Sequence, residues 1–173
     1  FYFKDKGDLI TLDEYVKNMK EGQENIYYAS GESVSKIDSL PQVEQIKKKG
    51  FDILYLTNYL DEFVISVLRE EDGKTFKSVS DSSLDLDTED EKEANKKLNE
   101  DNKDMLAEIK DALGDEVTSV RFTNKLDSHP VCLTSEGEIS VEMQKVINSM
   151  PTDEYVKAKI VLELNEKHVI VKK

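Results

Sequence analysis

The pattern of apolar and polar positions is densest between Gly50 and Arg69. Ile53-Leu54-Tyr55-Leu56 is an unbroken apolar run between Gly50 and Asn58, which predicts a strand covered on both faces in a parallel sheet. A helix is predicted to follow. Asn58 can accept from an orphan backbone N–H at its start, and Asp61 adds favourable negative charge to the first turn. Leu60, Phe63, Val64, Val67 and Leu68 then recur at i, i+3, i+4, i+7 and i+8, a single stripe predicted to face the core.

Upstream, Thr11-Leu12-Asp13-Glu14 is a capping-box pattern opening a helix with Leu12, Tyr15, Val16 and Met19 inward and Gly22 just past its end. Ile26-Tyr27-Tyr28-Ala29 predicts a strand. Pro41 sits near the start of a second helix that turns Val43 and Ile46 inward, with Lys47, Lys48 and Lys49 at its negative end and Gly50 as left-handed cap. Strand, helix and strand form a βαβ unit with parallel strands and a right-handed crossover. Asp72-Gly73 marks a turn, and Phe76 and Val79 a further short strand.

From Ser80 to Asp104 the composition turns polar, and Leu84, Leu86, Ala94 and Leu98 are its only sizeable apolar points. This predicts a boundary: a linker, then the exposed start of a helix that becomes amphipathic at Leu98, Met105, Leu106, Ile109 and Leu113 and stops at Gly114. Beyond it the expected elements are strands at Val120–Phe122, 131–133 and 160–164. A helix from about Glu138 to Ser149 carries Ile139, Met143, Val146, Ile147 and Met150 on one side and ends at Pro151, and Val169-Ile170-Val171 closes the chain. The fold class is α/β in the first half followed by α+β in the second.

Charge narrows the partners. Twenty-four basic against 37 acidic residues give a formal charge of -13, which repels nucleic acid and anionic membrane surfaces. No apolar run approaches the roughly 20 residues of a membrane span, and no signal-peptide pattern occurs, so the expected location is cytoplasmic. The single cysteine, Cys132, excludes an intrachain disulfide and is expected in the core. The start at Phe1 and the end at Lys173 suggest a piece of something longer.

Candidate chemistry is sparse. Neither GxxxxGK[ST] nor GxGxxG occurs, so no phosphate cradle is expected and no cofactor is assigned. His129 and His168 are isolated, no metal site is expected, and no pair of carboxylates is singled out for acid/base work. A hydrolase using some Asp/Glu pair is the most distant reading. What remains is apolar or adaptable surface on two helices: Glu62, Phe63 and Ser66 along one edge of the first, and Ile139, Met143 and Val146 on the second. The same spacing also suits packing within each domain, and periodicity places Phe63 inward.

One resemblance covers essentially the whole chain. It rests on Leu12-Asp13-Glu14-Tyr15-Val16-Lys17-Asn18-Met19-Lys20-Glu21-Gly22-Gln23, Ile26-Tyr27-Tyr28, Ile53-Leu54-Tyr55-Leu56, Leu60-Asp61-Glu62-Phe63, Glu142-Met143 and Leu162-Glu163-Leu164-Asn165. Together these segments resemble the heat-shock protein 90 chaperone family, in its bacterial branch. The resemblance implies that residues 1–85 are the distal part of the middle domain, a small three-layer αβα unit. Residues 86–173 would be the C-terminal dimerisation domain without its last helices. It implies an ATPase domain, with its ATP and Mg, outside this chain, and hence no enzymatic activity or cofactor within it. It further implies non-native client proteins as partners and a homodimeric parent. Glu62, Phe63, Ser66, Ile139, Met143 and Val146 fall at the family's client-binding positions, with phenylalanine where tryptophan is commoner and isoleucine where methionine is. The alternative reading is a connector and homodimerisation platform that binds no client by itself.

Overall fold

The computed structural model describes residues 2–3, 9–151 and 155–172. The first half builds one sheet from β1 (Tyr2–Phe3), β2 (Leu9–Ile10), β3 (Ile26–Ser30), β4 (Ile53–Leu56), β5 (Glu70–Glu71) and β6 (Lys74–Ser78), in the order β2-β1-β4-β3-β6-β5. β3 runs parallel to β4, with Tyr27 opposite Ile53 and Ser30 opposite Leu56, and parallel to β6, so the predicted βαβ pairing is present. The β5–β6 hairpin turns at Asp72 and Gly73, whose φ values of 48° and 72° are those of a type I′ turn.

Alternation along the strands sends side chains to two separate cores. Tyr27, Ala29, Ile53 and Tyr55 cluster with Ile37 of α2 (Val34–Asp38), with Val43, and with Ile46 of α3 (Glu44–Lys48). Ile26, Leu54 and Leu56 cluster with Tyr15 of α1 (Leu12–Lys17) and Ile65 of α4 (Asp61–Leu68). The Thr11–Glu14 capping box forms as predicted, and Gly50 adopts φ 71° after α3. Helix α2, capped by Ser33, is an element that the apolar pattern does not signal.

The predicted inward stripe of α4 is reversed. Leu60, Val64 and Leu68 are exposed, and Val67 is 80 % exposed, whereas Ile65 is 1 % and Glu62 5 % exposed. At about 100° per residue, Ile65 and Glu62 lie roughly half a turn round from the stripe. The phase is set by the short connection from β4. Its Asn58 side chain accepts the Leu60 N–H at 3.0 Å, as predicted, and delivers Ile65 rather than Val64 onto Leu54 and Leu56.

The second half opens with two helices where one is predicted, α5 (Glu89–Asp101) and α6 (Lys103–Leu113). They part at Asn102, whose side-chain amide donates to the Leu98 carbonyl at 2.8 Å and competes with the helical ladder. Of the predicted stripe, Leu106 is buried and Leu98 and Ile109 are half-buried, while Met105 and Leu113 face solvent. A three-stranded sheet follows, in the order β7-β9-β8, from β7 (Ser119–Phe122), β8 (Val131–Glu136) and β9 (Lys159–Leu164). Val120, Phe122 and Leu164 meet Leu106 in a third core, and Cys132 is buried as expected. The last helix, α7 (Val141–Ser149), starts after Ser140, later than predicted. Val169 and Ile170 lie in turns and are exposed.

The polar segment after β6 is docked against the second half. Ser82 N–H donates to the Ser135 carbonyl and Ser135 N–H to the Ser80 carbonyl, both at 2.8 Å, so this stretch runs alongside β8.

Candidate functional site

The two helices singled out in the sequence meet where the halves of the chain touch. Ser140, in extended backbone, accepts the Met143 N–H at 3.0 Å and starts α7. Gln144 and Asn148, one turn apart, tie α7 to its own half. The Gln144 side-chain carbonyl accepts the Ala158 N–H at 2.6 Å, and Asn148 exchanges two 2.9 Å bonds with the Val156 backbone. Met143 and Val146 are left half-buried on another face of α7, and Ile139, expected on this helix, is half-buried just ahead of it because Ser140 caps the first turn.

A cavity of about 680 Å³ opens between α4, β6 and the start of α7, and Glu62, Ser66, Ile139 and Met143 all line it. Tyr28, Ile65 and Arg69 add to its walls. A second cavity, of about 320 Å³, lies on the far side of Glu62 and contains Val146, Glu142, Tyr59 and Glu32. Four of the six sequence candidates therefore share one cavity and Val146 the next. Phe63 lines neither of these two and is half-buried, between the inward and outward placements that periodicity and resemblance assign to it.

Glu62 is expected along an exposed edge; instead it is the buried residue common to both cavities. Burial pushes its carboxyl above the ordinary range, the facing Ser140 and Ser30 hydroxyls pull it back, and the charge of Glu142 adds to the rise. Ser66, by contrast, is exposed, and its hydroxyl donates to the Phe63 carbonyl at 2.7 Å. Tyr28, Ile65 and Arg69 are wall residues that the sequence reading did not select. The alternation Ile26-Tyr27-Tyr28 carried the signal for Tyr28, since it sets Tyr28 on the sheet face opposite Tyr27.

The arrangement suits reversible packing of apolar groups over a polar floor. Among the described residues no grouping of His, Cys, Asp or Glu could hold a metal ion, and no helix is long and apolar enough to cross a membrane.

Comparison with known proteins follows the same lines. The family described as "Hsp90 protein" matches residues 1–173. The chain is 49 % identical over 168 residues to "Chaperone protein HtpG" of Clostridium acetobutylicum, covering 97 % of this chain and 27 % of that protein. It is 47 % identical over 171 residues to the protein of the same name from Alkaliphilus oremlandii, with 98 % and 27 % covered. With the counterpart from Natranaerobius thermophilus, identity is 46 % over 173 residues, covering 100 % and 27 %. The chain thus spans about a quarter of the length of these relatives and belongs to the Hsp90 protein family.

Proposed function

We propose that this chain supplies a client-holding surface of an ATP-dependent chaperone, in which exposed apolar segments of non-native proteins are buried reversibly between α4 and α7. The observation that carries the reading is the convergence of Glu62 and Ser66 from the first half with Ile139 and Met143 from the second around one cavity. The relatives' name, chaperone protein, agrees with it. Apolar burial contributes about 25 cal/mol per Å², offset by the ordering of the client, so weak and readily reversed binding is expected.

Within this reading, residues 1–85 form a three-layer αβα part of a middle domain and residues 86–173 a C-terminal domain. ATP hydrolysis and its Mg belong to other parts of a cytoplasmic, homodimeric parent. Two core clusters on opposite faces of the six-stranded sheet support the layering. Replacing both Ile139 and Met143 by Ser is expected to weaken binding of an unfolded model protein about tenfold, with a Tm lowered by only a few degrees. Global unfolding of that variant would instead make both side chains structural.

A second reading, a connector and homodimerisation platform without client binding of its own, draws on the hydrogen bonds that join the halves, among them Gln42 to the Leu133 carbonyl at 2.6 Å. Light scattering over a concentration series separates the two: a chain that dimerises but leaves aggregation unchecked favours the platform.

A further inference from the structure

Glu62 is 95 % buried by its 5 % exposure, yet among the described residues no Lys, Arg or His forms an ion pair with it. The charged groups around it are unevenly placed. Glu142 and Glu32 share the smaller cavity with it, and no basic residue lines that cavity. Both carboxylates are paired elsewhere, Glu142 with Lys145 and Glu32 with Lys36. In the larger cavity, Glu138 and Asp81 stand against Arg69 and Lys77. Lys77 approaches Asp81 at 3.9 Å, and Arg69 follows the far end of α4, roughly 10 Å from Glu62 along the helix axis.

The rest of the lining is what an organic cation needs. Tyr28 lies close enough to Glu62 for that charge to push its phenol up, after burial itself, and its ring offers a π face. Ile139 and Met143 can cover an aliphatic stem. One buried hydroxyl oxygen, Ser135 Oγ on the larger cavity, has no hydrogen-bond partner.

We propose that the groove selects client segments in which a Lys or Arg adjoins bulky apolar residues, the cation being taken by Glu62. This rests on the client-binding reading and adds a substrate class to it. A carboxylate buried without a counter-ion is costly, and an incoming cation removes that cost, whereas an uncharged segment of the same shape does not.

The test uses the intact 173-residue chain and two labelled decapeptides, one apolar with a central Lys, the other with norleucine in its place, followed by fluorescence anisotropy. At pH 7.5 the Lys peptide is expected to bind roughly tenfold more tightly. In Glu62→Gln that ratio falls towards one. Because the Glu62 carboxyl is held above its ordinary range, the wild-type ratio also falls as the pH is lowered into the acid range. This arm needs no variant to fold; the other carboxylates facing the groove are Glu32, Asp81, Glu138 and Glu142. Equal affinities in the wild type overturn the cation preference while the client groove stands. A ratio that survives Glu62→Gln removes Glu62 as the acceptor. Failure of both peptides to bind overturns the client reading and this inference together.

Discussion

Glu44 Oε2 on α3 accepts the Asp127 backbone N–H at 2.7 Å, a bond that spans 83 residues and joins the two halves of the chain. The same carboxylate accepts from the Ser128 N–H and hydroxyl and lies 2.8 Å from His129 Nδ1. Burial alone pushes the group up. The Ser128 hydroxyl, the Asp127 N–H and the His129 ring outweigh it and hold the carboxyl down at about 2, against an ordinary 4.5. The folded chain therefore resists protonation where the unfolded chain does not. The stabilisation is complete above pH 4.5 and is lost as the pH falls towards 2. Allowing for partial exposure, it amounts to on the order of 2 kcal/mol. Urea midpoints across pH 2–7 are expected to fall less steeply for Glu44→Gln than for the wild type, and parallel curves would show that Glu44 holds no such clamp.

Helix α4 gives a second prediction, because periodicity and structure assign it opposite faces. Ile65→Ala removes a side chain packed on Tyr15, Leu54 and Leu56 and is expected to cost about 2–4 kcal/mol. Val67→Ser acts on an 80 % exposed side chain and is expected to stay within about 0.5 kcal/mol. Thermal unfolding of both variants decides the matter, and the reverse order would restore the face that the apolar stripe indicates.

The contrast marks what could be read from sequence. The β4 run, the Thr11 capping box, the Gly50 cap and the Asp72-Gly73 turn were legible because each depends on residues adjacent in the chain. The rotation of α4 was not, since it follows from a short connection to β4 and from which strand residues meet Ile65. The break at Asn102 is a local departure of its backbone, to φ -113° and ψ 16°, that no apolar pattern signals. The candidate site was half legible. Met143 was placed by helical spacing, whereas Ile139 lies ahead of α7, and the surroundings of Glu62 depend on Ser30 and Ser140, which lie 32 residues before it and 78 after it and are brought together only by the fold.

Between the sheet of the second half and the docked linker, Glu163 is fully buried. It accepts from Arg121 Nε at 3.0 Å and Lys125 Nζ at 3.3 Å, and Lys125 also donates to the Ser82 carbonyl at 3.0 Å. Removing Lys125 leaves the buried carboxylate to Arg121 alone, so Lys125→Met is expected to cost about 1–3 kcal/mol. Adding Glu163→Leu to that variant is expected to recover part of the loss, because the carboxylate left with one cation goes with it and Arg121, 40 % exposed, is open to water. Simple addition of the two single losses in urea unfolding would show the pair to be uncoupled.

The same carboxylate governs the one cysteine. Cys132 Sγ lies 3.7 Å from Glu163 Oε2 and donates to it, and burial, then the Glu163 charge, pushes the thiol up to about 12. Since the thiolate is the reactive form, almost none is available at pH 8, and access is closed as well. Iodoacetamide is expected to label the native chain at least about a hundredfold more slowly than the chain unfolded in urea, where the thiol returns to its ordinary value. The readout also reports on the docking of the linker. If Glu163 and its cations hold residues 81–82 against β7 and β9, Lys125→Met loosens that contact and speeds native labelling, whereas Val67→Ser on α4 leaves it unchanged. Equal labelling in Lys125→Met and wild type would mean that the thiol is shielded by the sheet alone.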